Sequence, residues 1–306
     1  MILLWGIATD DPLAAVGAAL DLRGSPYVFV DQVAAAETDI DLQVNESVTG
    51  YLAIRGEGIA LEDVRAAFLR PYDYRRLITL RAAGEASDLW RRAAAVDEAL
   101  GVWAEVTPAL VVNRPGSMAS NGSKPYQTEL IRALGLQIPP TLVTTDQHAA
   151  LEFLERHGEV VYKSVSGIRS IVTRLGSDRV QDLGDVANCP TQFQAYVPGR
   201  DYRVHIVGTD VFVSEVESAA DDYRYASRDG HTVTIRASRV PSDLENACRN
   251  LATSLGLVAA GIDLRVTPEG EWYCFEVNPS PGFTFYEEAT GQPIAASVAR
   301  LLAAAG

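Results

Sequence analysis

The chain has 306 residues, 47% hydrophobic and 22% charged, an ordinary balance for a globular protein with room for two or three packed units. Its formal net charge is -14, with 40 acidic against 26 basic residues, so nucleic-acid phosphates and anionic membranes are repelled and neither is expected as a general partner. Three cysteines (Cys189, Cys248, Cys274) form no CxxC pair and read as reduced thiols of a cytoplasmic protein rather than a disulfide frame. No apolar run is long enough to cross a bilayer, and the sequons at Asn45 and Asn121 carry no weight in that compartment.

The first elements alternate as strand, helix, strand. Ile2 to Ile7 is apolar, lacks a basic leader and is soon followed by Asp10 and Asp11, so it reads as a strand rather than a signal peptide. Pro12 to Leu22 reads as a helix and Tyr27 to Val30 as a second strand, with a helix-rich stretch from Ala82 to Leu100. This predicts an α/β domain over residues 1–110. Its first turn, Gly6 to Asp10, lacks the GxGxxG fingerprint, which argues against a nicotinamide oxidoreductase, and the isolated pair Gly56 and Gly58 adds nothing.

A second unit is expected over residues 111–192. Ser123 is a good N-cap, Pro125 suits a first helical turn, and Gly135 ends the helix Lys124 to Leu134. Pro139 and Pro140 lead into a strand, Thr141 to Thr144, and Asp146 to Arg156 is a helix stopped by Gly158. Glu159 to Val165 and Ser170 to Leu175 read as strands around the small polar loop Ser166-Gly167-Ile168-Arg169.

The third unit, residues 193–306, is richer in strands. Arg203 to Val207 and Val211 to Glu217 form a hairpin around Gly208-Thr209-Asp210. Ser242 with Glu245 three residues on predicts a capping box, and Leu244, Ala247, Cys248, Leu251 and Leu255 share a helical face, so Cys248 is expected in the core. Strands Ala260 to Val266 and Glu271 to Asn278 are joined by the turn Thr267-Pro268-Glu269-Gly270.

That last hairpin carries the chemistry. A turn centred on Pro268-Glu269 places Asp263 opposite Cys274, with Glu276 as its diagonal neighbour and Asn278 on the same face. Two carboxylates and an amide are hard oxygen donors, which suit Mg²⁺. The plain alternative is an acidic solvent face on an edge hairpin. The apolar neighbours Val258-Ala259-Ala260-Gly261-Ile262 and Trp272-Tyr273-Cys274-Phe275 argue for burial instead, and buried like charges need a cation.

Gly261-Ile262-Asp263-Leu264-Arg265 with Phe275-Glu276-Val277-Asn278-Pro279 resembles the C-terminal signature of ATP-grasp ligases. Further segments resemble that family in the same order: Asn121-Gly122-Ser123-Lys124 with Gln127, Val161-Tyr162-Lys163, the Ser166 to Arg169 lid loop, Gln194-Ala195-Tyr196-Val197, and Asp201-Tyr202-Arg203-Val204. Ala195 stands where the hinge usually has glutamate, and the lid loop has one glycine rather than several. Val112-Asn113-Arg114-Pro115, Gly135 to Thr144, Asp222-Tyr223-Arg224 and Leu69-Arg70-Pro71 are similar to the group holding ribosomal-protein glutamate ligases and microviridin-type peptide macrocyclases.

The resemblance implies an α/β (α+β) ATP-grasp fold: an N-terminal pre-ATP-grasp domain, a small lid subdomain and a C-terminal antiparallel-sheet subdomain. It implies ATP and two Mg²⁺ ions as cofactors. Lys124 and Lys163, with Ser166 and Gly167 of the lid, would hold the phosphates. Gln194, Ala195, Tyr196 and Val197 would hold the adenine, and Asp201 the ribose. Asp263, Glu276 and Asn278 would be metal ligands. Arg203 and Arg224 would neutralise the transferring phosphoryl group, and Arg70, Asn113, Arg114, Asp222 and Arg224 would face the substrate. The implied reaction joins a carboxylate, through an acyl phosphate, to an amine or hydroxyl of a peptide or small molecule. A non-catalytic ATP-binding module is the competing class, and a homodimer is compatible with either. Taken singly, Lys163 is also a plain strand lysine, and Arg224 among Asp221, Asp222, Arg228 and Asp229 a plain charged loop.

Overall fold

The computed structural model describes residues 1–165, 173–176, 180–218, 223, 230 and 232–305. The N-terminal strands β1 (Ile2–Gly6) and β2 (Tyr27–Asp31) flank α1 (Asp11–Arg23), whose N-cap Asp10 accepts a hydrogen bond from Leu13 N. Strands β3 (Thr38–Val44), β4 (Val48–Ile54) and β5 (Glu57–Ala60) form an antiparallel three-stranded sheet absent from the sequence expectation. Next come β6 (Ala66–Arg70), α2 (Ile78–Ala83), α3 (Asp88–Val106) and β7 (Leu110–Val112). The parallel sheet runs β2-β1-β6-β7.

The short α4 (Pro115–Met118) leads to α5 (Lys124–Ala133). A second sheet, ordered β10-β9-β11-β8, combines β8 (Thr141–Thr144), β9 (Val160–Ser164), β10 (Thr173–Arg174) and β11 (Thr191–Ala195), with α6 (Gln147–His157) packed on it. The chain ends in β12 (Arg200–Val207), β13 (Asp210–Ser218), β14 (Val233–Ser238), α7 (Ser242–Ser254), β15 (Ala259–Val266), β16 (Trp272–Asn278), α8 (Thr284–Thr290) and α9 (Ile294–Ala304). Its five-stranded antiparallel sheet is ordered β14-β13-β12-β15-β16. Among the described residues no helix is long and apolar enough to cross a membrane.

One core joins the first and last units. Ile2, Leu4, Val16, Leu20 and Phe68 pack with Val207, Phe283, Ile294, Val298 and Leu302. The second sheet has a core of its own, built on Phe153, Val160, Leu175 and Phe193. Helix α5 packs against β16: Gln127 is buried and clasps Val277, donating from Nε2 to the carbonyl at 2.7 Å and accepting from the amide at 2.9 Å. It thereby satisfies a backbone pair at the sheet edge, where β16 is the last strand among the described residues.

The expected capping box does not form. Ser242 is the first helical residue of α7, Pro241 is its N-cap with no side-chain cap bond, and Glu245 instead meets Arg249 at 2.8 Å. Cys248 is fully buried as expected, and burial pushes its thiol up to about 12.

Candidate active site

Period-two alternation gives the five-stranded sheet two unlike faces. Tyr202, Val204 and Ile206 of β12, Ile262 and Leu264 of β15, and Cys274 and Val277 of β16 share one core. The opposite face carries the polar residues. Asp201, Arg203 and His205 of β12 lie directly opposite Arg265, Asp263 and Gly261 of β15.

The register of the last hairpin differs from the sequence expectation. The strands pair Leu264 with Cys274 but Asp263 with Glu276, so Phe275 is an extra residue in a bulge. Asp263 therefore faces Glu276 directly rather than Cys274. Cys274 turns into the core, where burial first, then Cys248 and the carboxylates, push its thiol well up. The bulge brings Asp263, Glu276 and Asn278 onto the polar face together, with Asn278 opposite Gly261.

Arg203 is 5% exposed, and its Nη1 lies 2.5 Å from Asp263 Oδ1. Burial by itself opposes the guanidinium's charge, but Asp263, Tyr286 and Tyr223 outweigh it and the net shift is upward. Arg203 Nε donates to His205 Nε2 at 3.4 Å, and the guanidinium sits 5.9 Å from the Tyr286 ring centre. His205 is held neutral, first by burial and then by the neighbouring Arg203. The hydroxyls of Tyr223 and Tyr286 are 2.7 Å apart, and burial raises Tyr223 well above the ordinary phenol value. Gly261 makes room for this arrangement: a Cβ there would lie 2.1 Å from Arg203 Nη2.

Asp201 is engaged by Arg265, Nε to Oδ1 at 2.7 Å and Nη2 to Oδ2 at 2.9 Å, and Arg265 Nη1 also donates to the Val197 carbonyl at 2.9 Å. The guanidinium of Arg174 of β10 lies 3.9 Å from the centre of the Tyr196 ring, and that of Arg265 of β15 lies 5.7 Å from it. The segment Gln194 to Val197 thus joins the second sheet to the third. Gln194 is buried and donates to Thr141 Oγ1 at 3.1 Å, and the amide of Ala195 donates to the Pro140 carbonyl. Lys163 is 7% exposed on β9, opposite Gln192 of β11, on the face away from Tyr162 and Phe193. Lys124 is half-buried at the first position of α5, capped by Ser123. Ser166, Gly167, Asp222 and Arg224 lie outside the described residues.

Three residues expected at the substrate are instead committed to the chain itself. Asn113 is buried: its Nδ2 donates to Ala259 O and Pro279 O, both at 2.6 Å, and its Oδ1 accepts from Val258 N and Ala259 N. Both amide donors and both oxygen lone pairs are used, leaving nothing for a substrate. Arg114 donates to the carbonyls of Ala104, Glu105, Thr107 and Ala109, and so ties down the C-terminal end of α3. Arg70 is bound to Asp10, Ser280 and the Pro281 carbonyl.

Among the described residues no group of three His, Cys, Asp or Glu could hold a metal. A cation here would rest on Asp263, Glu276 and the Asn278 amide, whose Oδ1 accepts from Ser280 N at 2.9 Å and retains a second lone pair. Such a sparse, all-oxygen set fits Mg²⁺, which takes one or two carboxylates and completes its shell with water and phosphate.

Residues 123–302 match the RimK-like ATP-grasp domain family. The chain belongs to that family. It is 30% identical over 179 residues to a probable alpha-L-glutamate ligase of Citrobacter koseri, covering 55% of this chain and 58% of the relative. The chain thus spans less than two thirds of the length of the first curated relatives it matches, 58% in each case. Over its whole length it is similar in fold to the macrocyclase MdnC, solved with the precursor peptide MdnA from Microcystis aeruginosa MRC, with a TM-score of 0.81, 20% identity and 98% of both chains covered. It is equally similar in fold to the ATP-grasp ligase PsnB, solved with a variant of its minimal precursor, Mg and ADP: TM-score 0.81, 23% identity, 99% of this chain and 98% of that one. The five-stranded sheet with its paired Asp263 and Glu276 is thereby an ATP-grasp sheet, as the motif order implied.

His205 and Tyr286 lie outside the motifs, and Gly261 and Arg265 lie within the C-terminal signature without being given a role by it. Alternation from Arg203 reaches His205 at once, and Gly261 and Arg265 follow from the same rule on β15. Tyr286, on α8, has no such local signal.

Proposed function

We propose that this ATP-grasp protein is an ATP-dependent ligase that activates a carboxylate as an acyl phosphate and joins it to an amine or hydroxyl of a peptide. The observation that carries the reading is the polar face on which Arg203, Asp263 and Glu276 converge across three adjacent strands. Buried cation and paired carboxylates on one rigid sheet suit a reaction that transfers a phosphoryl group between oxygens.

Lys124 and Lys163, with the Ser166-Gly167 loop, hold the phosphates in this reading, Gln194 to Val197 line the adenine, and Asp201 meets the ribose. Asp263, Glu276 and Asn278 would hold Mg²⁺, two ions in this reading, and the metal would supply neutralisation of phosphate charge. The substrate carboxylate attacks the γ-phosphorus of ATP, and ADP leaves. Arg203, fixed by Asp263 and His205, offsets the charge on the transferring group. The amine or hydroxyl then attacks the acyl carbon, and inorganic phosphate departs with the bonding pair. Arg224 and Asp222 face the peptide. Residues 1–110, 111–192 and 193–306 act as pre-ATP-grasp domain, lid and catalytic body.

A ligase for free amino acids is the second reading, favoured by the name of the glutamate-ligase relative. ADP release is the test: Mg²⁺-ATP is supplied with precursor-type peptides or with free amino acids, for the wild type and Glu276→Ala. Release triggered by peptide, with loss of one water mass per bond and none in the variant, is the expected result. Release triggered by amino acids alone selects the second reading. No release with any carboxylate, and equal ATP binding by both proteins, overturns both in favour of a non-catalytic nucleotide module.

A further inference from the structure

We infer that Arg70 of the N-terminal domain is a positioning residue for the metal-binding amide of Asn278, a role that rests on the ligase reading above. Asn278 ends β16, Pro279 to Pro281 form the loop after it, and each of these four residues is tied down. Asn278 Oδ1 accepts from the Ser280 amide at 2.9 Å. The Pro279 carbonyl accepts from Asn113 at 2.6 Å. Ser280 Oγ and the Pro281 carbonyl accept from Arg70 Nη1 at 3.0 and 3.1 Å.

Two of the three anchors therefore come from residues distant in sequence, at the C-terminal end of β6 and just after β7. Arg70 is itself fixed from behind. Its Nε and Nη2 meet the two oxygens of Asp10 at 2.5 and 3.2 Å, and Asp10 also caps α1 through Leu13 N. The side chain of Arg70 is 11% exposed and that of Asp10 23%, so water competes little for this fork.

The consequence is geometric. The Ser280 amide occupies one lone pair of Asn278 Oδ1 and so sets the direction of the other. Arg70 holds Ser280 by its side chain and by the next carbonyl. Releasing Arg70 frees Ser280 and lets the Asn278 amide rotate away from Asp263 and Glu276. Hydrogen-bonded partners behind a ligand commonly set metal affinity over a ten- to hundredfold range. A lysine in place of Arg70 keeps the charge but not the two-sided fork.

The test is Mn²⁺ binding in the presence of ADP, followed by electron paramagnetic resonance, alongside the Mg²⁺ dependence of ADP release. Arg70→Met is expected to weaken Mn²⁺ binding about tenfold, with half-saturating Mg²⁺ raised in step and kcat at saturating Mg²⁺ lowered less. Ser280→Ala, a milder change that keeps the Asp10–Arg70 pair, is expected to weaken Mn²⁺ binding by a smaller factor, about threefold, and carries the test if Arg70→Met does not fold. Asp10→Asn combined with Arg70→Met is expected to bind Mn²⁺ no more weakly than Arg70→Met alone. Folded Arg70→Met or Ser280→Ala protein with wild-type Mn²⁺ affinity overturns the assignment while leaving the ligase reading intact. A wild type that takes up no Mn²⁺ with ADP overturns the ligase reading and this assignment with it.

Discussion

Arg203 and Asp263 stand directly opposite each other on β12 and β15, with 2.5 Å between Nη1 and Oδ1. Glu276 stands opposite the same aspartate on β16, so Asp263 has a cation on one side and a like charge on the other. The two carboxylates consequently differ in what they do for the fold. Asp263→Ala strands a buried guanidinium and is expected to cost about 3–5 kcal/mol of stability. Glu276→Gln removes a like-charge neighbour of Asp263 and keeps a polar side chain, and is expected to cost less than Asp263→Ala. Urea unfolding of the metal-free proteins compares them directly. Equal losses in the two variants would contradict the register argument.

Gly261 is the space into which Arg203 folds, and Gly261→Ala puts a methyl group 2.1 Å from the present position of Nη2. The guanidinium has to move, and around it lie His205 and Asp263 rather than water. The stability cost is expected to be about 1–3 kcal/mol, typical of overpacking. The effect on turnover is expected to be larger, tenfold or more, because a displaced cation no longer meets the transferring phosphoryl group. Thermal unfolding and ADP release, measured on one preparation, separate the two. Full activity in a destabilised variant would remove Arg203 from the chemistry.

What was legible in the sequence follows from how local the cause is. The turn Thr267 to Gly270 forms, with the Gly270 amide donating to the Thr267 carbonyl at 3.0 Å and Gly270 at φ 91°. The hairpin was therefore readable, and alternation put Glu276 and Asn278 on one face. Its register was not, because the bulge at Phe275 has no sequence signature, and one extra residue sends Cys274 inward. Strands β3 to β5 were legible but missed: Ile40, Leu42 and Val44 alternate with Asp39, Asp41 and Gln43, the pattern of a half-buried strand. Asn113 failed for another reason: its partner Ala259 is 146 residues away, and nothing near Asn113 announces it. Motif resemblance put Asn113 among the substrate residues and could not distinguish a side chain that touches ligand from one that holds the chain together, as its bonds to Val258, Ala259 and Pro279 do.

The amide of Asn113 supports a different kind of test. Its four hydrogen bonds join the end of β7 to the start of β15 and to the loop after β16. Asn113→Ala leaves two amides and two carbonyls buried without this partner, with an expected loss of about 2–4 kcal/mol. Asn113→Asp keeps the acceptor but loses both Nδ2–H donors and turns a charge toward the Ala259 and Pro279 carbonyls. It is expected to be at least as damaging. Denaturant midpoints for both variants check the order. An aspartate variant more stable than the alanine one would show that the donor bonds contribute little.

His205 ties stability to pH. Burial and the adjacent Arg203 hold its pKa well below the usual imidazole value, and the Tyr286 ring, 4.9 Å away, packs on it. In the unfolded chain the same imidazole titrates near its ordinary value of about 6.5. Above that value both states are neutral and the residue adds no pH dependence. Below it the unfolded chain binds a proton that the folded chain refuses, so stability falls as pH falls toward the folded pKa. The slope from this one residue reaches about 1.4 kcal/mol per pH unit. His205→Gln keeps a neutral side chain with an oxygen able to accept from Arg203 Nε, and it removes the titration. Denaturant unfolding between pH 7 and 5 is expected to show a steeper loss in the wild type than in His205→Gln, the difference isolating this site from the carboxylates common to both. Parallel curves would mean that the folded protein accommodates the imidazolium beside Arg203, contrary to the burial seen here.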